Sequence, residues 1–369
     1  MSLERQILFW AILLAAISYG LHLLGSAVSP FAMGIALGYL LDPIVSKMQA
    51  VGLNRVSATL LILGVFLAIL TVALIVLAPL LGNQVVAFAQ HLPGYVTRLQ
   101  SLAIEQGRAL MQNYGGSWIT AFGLDETLSS GQLQKSIGDF VGEGAQWFIN
   151  ALRSLVSGGA AVFDFLSLLV ITPVVAFYIL VDWRRMIDEL DSWLPLDHRD
   201  LLRSMAAEID HALAGFVRGQ SLVCLFLGLW YAIGLSLIGL DFGFLIGSIA
   251  GVLSFVPYVG SFTALVLSLG IALVQAWPSL RLLFMALAVV GFGQFLEGYV
   301  LAPRLVGRSI GLHPVWLMFA LLAFGELFGF VGLVIAVPAA AAIGVVARRL
   351  IAIYLISPLY LGRSAAARQ

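Results

Sequence analysis

The chain has 369 residues, of which 61% are hydrophobic and 10% charged, whereas a soluble domain carries about 25% charged residues. A soluble core cannot take in that much apolar side chain, so composition excludes a globular soluble protein and leaves a polytopic membrane protein. Lys+Arg and Asp+Glu balance at 19 each, which excludes the basic footprint of a nucleic-acid binder.

The chain opens with MSLERQILFWAILLAAISYG. The apolar run continues into further spans, so it reads as an uncleaved first span rather than a signal peptide. A bilayer core of about 30 Å needs about 20 helical residues. On that measure the spans fall at 7–24, 28–44, 56–80, 151–181, 215–240, 242–276, 280–300 and 312–347. The expected fold is all-α, with about eight transmembrane spans. Two of the eight, 242–276 and 312–347, are too long for one crossing. Each is broken in its middle, by FVPYVGS at 255–261 and FGELFGF at 324–330. Each is then either two crossings or a re-entrant hairpin. FGFLIGSIAGVLSFVP and FGFVGLVIAVP both open on FGF and reach a proline, a short echo with unequal spacing.

Two segments lie outside the spans. Residues 81–150 are polar but keep helical apolar spacing at Leu92, Tyr95, Val96, Leu99 and Leu102, which predicts a small helical extracytoplasmic region. Residues 182–213 are densely charged, with a stripe of Leu201, Leu202, Met205, Ile209 and Leu213. That stripe predicts an amphipathic helix, lying on the membrane surface or packed on the bundle. The expected organisation is therefore 1–80 N-terminal spans, 81–150 extracytoplasmic helices, 151–181 a span, 182–213 the cytoplasmic amphipathic helix, 214–350 a core with broken helices, and 351–369 a cytoplasmic tail.

Orientation follows from the basic residues. With the N-terminus inside, fourteen of the 19 Lys and Arg fall on cytoplasmic segments, Lys47, Arg55, Arg199, Arg203, Arg348 and Arg349 among them. Both termini are therefore expected in the cytoplasm. The single cysteine, Cys224, excludes an intramolecular disulfide. The sequence has no GxxxxGK[ST], HExxH or CxxC motif, and its five histidines lack metal-ligand spacing. No catalytic residue, cofactor or resident metal is expected.

An ionisable side chain in a span costs a few kcal/mol and usually faces a wet cavity or the bundle interior. Four acids qualify. Asp164 opens a segment containing Pro173, a helix-kinking proline, and reads as an interfacial or capping acid. Asp241 reads as a loop acid at the outer surface. Glu297 lies in a helix bracketed by Arg281 and Arg304, about 10 Å from its inner end, with Gln294 one turn earlier on the same face. Gly291, Gly293 and Gly298 allow a neighbour to approach. Glu297 is either a structural salt-bridge partner of Arg304 or Arg308, or a proton or cation site lining a path. Glu326 sits in the FGELFGF break, where a carboxylate can hold an ion or cap a helix N-terminus. The opposite break offers Pro257, Tyr258, Gly260 and Ser261. Glu297 and Glu326 are the ion-coupling candidates; Gln294, Pro257, Tyr258 and Gly260 are the path-lining candidates; Pro173, Asp164, Arg304 and Arg308 are structural or gating candidates.

The stretch FLEGYVLAPRLVGRSIGLHPVWLMFALLAFGELFGFVGLVIAVPAAA resembles the C-terminal signature of the AI-2E family transporters, named for export of the signal autoinducer-2. The matching residues are Glu297 and Gly298, Pro303 and Arg304, Gly307, Ser309, Gly311, Leu312, His313, Pro314, then Gly325, Gly329, Gly332, Val337 and Pro338. LIGSIAGVLSFVPYVGSF, FYILVDWRRM and HLPGYVTRLQ are similar to further family segments. This sequence has Ser261 where the family often has proline, and Trp183-Arg184 where Gly or Asp is frequent. The resemblance implies a bacterial inner-membrane permease of about eight spans that forms homo-oligomers, pentamers by the family pattern. Its partners would be membrane lipid and a small-molecule or ion substrate. Three functions stay open: an exporter of a small polar solute such as an autoinducer-2-type signal, with coupled H+ or Na+; a sodium/proton antiporter; and a non-transporting membrane scaffold.

Overall fold

The computed structural model describes residues 25–114, 159–306, 313–355 and 360. The expected first span at 7–24 and residues 115–150 of the expected 81–150 segment lie outside the described residues. Among the described residues the secondary structure is helical throughout, and the protein is an all-α polytopic membrane protein. The helices are α1 (Gly25–Ala50), α2 (Arg55–Tyr114), α3 (Gly159–Ser192), α4 (Arg199–Leu237), α5 (Gly243–Leu253), α6 (Val259–Ala276), α7 (Arg281–Leu296) and α8 (Pro314–Leu355). A π-helical segment, Glu297–Val306, continues α7. Among the described residues, six stretches are long and apolar enough to cross a membrane: Pro30–Ala50, Arg55–Leu102, Arg199–Leu237, Val259–Ala276, Arg281–Leu305 and Gly332–Leu355. Leu169–Trp183, Gly243–Leu253 and Val315–Gly329 are shorter apolar helices.

The described residues form two compact units. The first gathers 25–69, 164–223 and those after 297; the second gathers 70–114, 159–163 and 224–297.

In the first unit, α1, α2 and α3 share a core of Leu37, Leu41, Val45, Ala58, Leu63, Ala176 and Leu180. The i, i+4 spacing of Leu37, Leu41 and Val45 puts them on one face of α1. Glycines at the same spacing, Gly34 and Gly38, seat Val175 and Ile179 of α3. Asn54 starts α2, its side-chain oxygen accepting from the Ser57 N–H at 2.7 Å, which is an N-cap bond. Arg55, one residue on, reaches across the core. Its Nε donates to the Leu180 carbonyl at 2.5 Å and its Nη2 pairs with Asp42 at 3.3 Å. Tyr39 Oη donates to Asp210 at 2.8 Å, and Arg218 Nε donates to the Tyr39 carbonyl at 2.8 Å.

The 182–213 segment is distributed over two helices. α3 runs on to Ser192, the chain turns through Pro195 and a 3-10 turn at Leu196–His198, and α4 begins at Arg199. Pro195 has no N–H and cannot continue a helix. The expected apolar stripe lies on the first turns of α4. Asp191 closes the turn by accepting from Arg203 Nε at 2.6 Å and Arg199 Nη2 at 2.5 Å. Arg203 first, then Arg199, holds the Asp191 carboxyl well below the usual carboxylate range. α3 is helical through Pro173.

The FGELFGF break is a reversal within α8. Gly329 takes φ +60°, ψ −139°, a conformation open only to glycine. A Cβ on Gly332 would lie 1.8 Å from the Phe324 carbonyl oxygen. Residues eight apart in one helix are separated by about 12 Å, so the chain folds back on itself here.

The second unit is built on close helix approach. α4 ends with Gly239 at φ +77° and a Leu240 N–H to Leu235 carbonyl bond of 3.1 Å, the pattern of a Schellman cap. α5 then runs back along α4. A Cβ on Gly247 would meet the Ala232 nitrogen at 2.0 Å, and one on Gly251 would meet the Gly228 Cα at 2.2 Å. α5 has 11 residues, about 16 Å and so about half the bilayer core. The chain reverses again through Ser254–Tyr258 into α6, where Gly260 sits against the Ala250 carbonyl and Ser254. The FVPYVGS break is thus the tip of a short helical hairpin. At its base, Gln275 accepts from the Asp241 N–H at 2.9 Å and donates to the Gly239 carbonyl at 2.8 Å. Tyr95 of α2 donates to Asp241 Oδ2 at 3.0 Å, which ties the exposed loop acid to the long helix.

Candidate functional site

The site lies where α4, α6 and α7 meet beneath the hairpin tip. Glu297 ends α7 and opens the π-helical segment. The wider winding has a local cause: Pro303 cannot donate to the carbonyl four residues back, and its ring crowds that carbonyl in an α-helix. π-helical turns occur often at functional sites.

Glu297 Oε2 takes two donors. Ser261 Oγ donates at 2.7 Å and Gln294 Nε2 at 2.9 Å. Ser261, at the start of α6, is buried, while Glu297 is half-buried and Gln294 exposed. Both donors are neutral, and Glu297 forms no ion pair among the described residues. Among the described residues no cation lies against that carboxylate.

Tyr231 of α4 completes the arrangement. Its side chain is 0% exposed, and its ring lies across Gly293, where a Cβ would sit 2.4 Å from Cε1 and 2.7 Å from Oη. The hydroxyl lies beside Gln294, Ser261 and the charge of Glu297, but among the described residues it meets none of them in good hydrogen-bond geometry. Cys224, two helical turns earlier on the same face of α4, also lies in the field of Glu297. Trp230 Nε1 donates to the Val289 carbonyl at 3.0 Å and fixes α4 against α7.

Two helices give the depth of the site. From Gln275 to Ser261 along α6 is about 21 Å, and from Arg281 to Glu297 along α7 is about 24 Å, at 1.5 Å per residue. Both put the carboxylate roughly three-quarters of the way through a 30 Å core, measured from the 277–280 loop.

The other candidates divide around this centre. Gln294 binds Glu297 directly. Gly260 is buried beside Ser261, and Pro257, half-buried, and Tyr258, 57% exposed, form the hairpin tip. Tyr258 has φ +69°, a left-handed conformation that costs a bulky residue roughly 1–2 kcal/mol. Glu326 belongs to the first unit. It is exposed, lies three residues before the Gly329 reversal, and has no hydrogen-bond or ion-pair partner among the described residues. Arg304 is exposed on the π-helical segment and unpaired among the described residues, and Arg308 lies outside them. Pro173 is half-buried on α3. Asp164 is on α3 too, but its side chain is outside the described residues. Of Gly291, Gly293 and Gly298, Gly293 alone has a neighbour within 4 Å.

Two members of the site were not among the candidates. Ser261 lies in the FVPYVGS break and departs from the family's proline, but is not one of the path-lining candidates. Tyr231 carried one signal, a polar-tipped aromatic inside an apolar span, a residue that normally finds a partner when buried.

Relatives share most of this chain. "Putative transport protein YrrI" of Bacillus subtilis is 29% identical over 316 residues, 86% of this chain and 84% of that protein. "Putative permease PerM" of Escherichia coli strain K12 is 27% identical over 313 residues, 85% of this chain and 84% of that protein. Residues 7–352 match the family described as AI-2E family transporter, and with that match covering nearly the whole sequence, the chain belongs to the AI-2E transporter family.

Proposed function

We propose that this protein is an inner-membrane secondary transporter that exports a small polar solute, of the kind represented by an autoinducer-2-type signal, with a proton or cation coupled at Glu297. The observation that carries the reading is the state of that carboxylate. It is deep in the membrane, held by Ser261 and Gln294, and has no cationic partner among the described residues. A charge at the centre of a span costs about 2.5–3.5 kcal/mol and less toward the interface, and a mobile proton or cation is the natural offset for what remains. Glu326 is the second coupling candidate, supported by its exposure beside the Gly329 reversal, since broken helices commonly hold coupling ions. Pro257, Tyr258 and Gly260 would line the path at the hairpin tip.

We assign both termini to the cytoplasm and the protein to a bacterial inner membrane. Support comes from the ion pairs Asp42–Arg55, Asp191–Arg199 and Glu208–Arg348, which join basic residues of the expected cytoplasmic set within one unit. A homo-oligomer, pentameric by family resemblance, and lipid against the exposed apolar side chains of α2, such as Ile69, Val72 and Ile75, complete the proposal.

The test is flux in vesicles reconstituted with purified protein, under a pH gradient, a sodium gradient and no gradient. Coupled export predicts solute flux driven by one gradient and lost in Glu297→Gln. Counter-flow of the two ions without solute would favour the antiporter. No flux of solute or ion under all three conditions would favour the scaffold.

A further inference from the structure

The Tyr231 hydroxyl has close polar neighbours but no hydrogen bond of good geometry among the described residues. It is fully buried. An unsatisfied buried hydroxyl is costly and calls for a particular explanation, such as a bound water or ion. Its polar neighbours are Ser261, Gln294 and the Glu297 carboxylate. Ser261 and Gln294 both donate to Oε2 of Glu297, which leaves Oε1 as an acceptor. A phenol hydroxyl can donate, a carboxylate oxygen can only accept, and one water molecule can do both.

We propose that Tyr231, Ser261, Gln294 and Glu297 form a site for a single water molecule that links the Tyr231 hydroxyl to Glu297 and delivers the proton to it. Tyr231 Oη donates to the water oxygen, and the water donates to Glu297 Oε1. A proton arriving as hydronium passes to Oε1, leaving a neutral carboxyl and the water in place; release runs in reverse. The net change is one proton taken from the aqueous phase. Among the described residues, Tyr231 and Cys224 of α4 are titratable groups that face Glu297. Tyr231 thereby acts as a positioning residue for the coupling acid.

The inference rests on the reading of Glu297 as the ion-coupling residue, and its test separates the two. Tyr231→Phe keeps the ring on Gly293 and removes the hydroxyl. Thermal midpoints of the purified full chain are measured for wild type, Tyr231→Phe, Glu297→Gln and the double variant. A linked water predicts a lower midpoint for Tyr231→Phe and a non-additive cycle. A dry, orphaned hydroxyl predicts an unchanged or raised midpoint, and that result, or an additive cycle, overturns the site. If Glu297→Gln fails to fold, Ser261→Ala takes its place in the cycle. In vesicles, Tyr231→Phe should shift the pH of half-maximal flux, because Glu297 loses the water that delivers its proton. Coupling in the cycle with an unmoved pH profile would overturn the relay. Unchanged flux in Glu297→Gln would defeat the transport reading and the relay's purpose, while the thermal cycle still decides on the water site.

Discussion

Gly247→Ala puts the packing of the second unit to a direct test. The added Cβ would lie 2.0 Å from the Ala232 nitrogen, 2.3 Å from the Ala232 Cα and 2.4 Å from the Tyr231 carbonyl carbon. All three are backbone atoms, so no rotamer change relieves the clash. α5 and α4 must separate by about 1 Å or more, and overpacking of that kind costs about 1–3 kcal/mol. Alanine recovers at most about 1 kcal/mol through helix propensity. Three backbone contacts of 2.0 to 2.4 Å put the cost in the upper part of that range, about 2–3 kcal/mol, so the net expectation is a loss of about 1–2 kcal/mol. Gly291→Ala is the matched control, because nothing lies within 4 Å of its added Cβ and the propensity gain stands unopposed. Thermal unfolding in one detergent compares the two. Gly247→Ala should melt below wild type and Gly291→Ala at or above it. The displaced Tyr231 backbone should also reduce flux in Gly247→Ala alone. A Gly247→Ala protein that melts at or above wild type would refute the close-approach argument for the α4–α5 seam.

Two further predictions concern the first unit. Asp191 has a folded value lowered by Arg203 and Arg199, so its clamp contributes fully above the unfolded value of about 4 and is lost as pH falls below it. Asp191→Asn should flatten the dependence of stability on pH between about 5 and 2, read by thermal unfolding or by cleavage in the α3–α4 turn; equal pH dependence in both proteins would count against the clamp. Arg55, with a side chain only 14% exposed, should lose about 2–3 kcal/mol as Arg55→Met, because the Leu180 carbonyl and Asp42 are left without their donor. Arg55→Lys should restore only part, since an ammonium cannot serve separated acceptors as a planar fork does; full recovery in denaturant unfolding would contradict that geometry.

Much of the architecture is legible in the sequence because membrane spans declare themselves by length and apolar content. The breaks at FVPYVGS and FGELFGF were readable from proline and glycine, and both are chain reversals. The two FGF triplets mark reversals too, with positive φ at Phe242 and Gly329, although their flanking spacing differs. The division of 182–213 was harder to see, because the apolar stripe of α4 carries on the rhythm of the segment before Pro195. The contact between Ser261 and Glu297 joins residues 36 apart, and no local periodicity encodes it. Gly293 could not be distinguished from Gly291 and Gly298, since α7 is apolar around most of its surface and periodicity does not reveal which face packs. Tyr231 looked like one more aromatic in an apolar span until its ring was seen against Gly293.

The depth of Glu297 has an electrical consequence. Moving one elementary charge across the whole membrane is worth about 2.3 kcal/mol per 100 mV. An ion reaching Glu297 from the side of the 277–280 loop traverses roughly three-quarters of that drop, about 1.7 kcal/mol per 100 mV, while one arriving from the opposite face traverses only about 0.6. Occupancy loaded from the first side changes by more than roughly tenfold per 100 mV, and from the second by about threefold. The voltage sensitivity of flux at a fixed ion gradient is therefore a measure of the face from which the carboxylate is loaded.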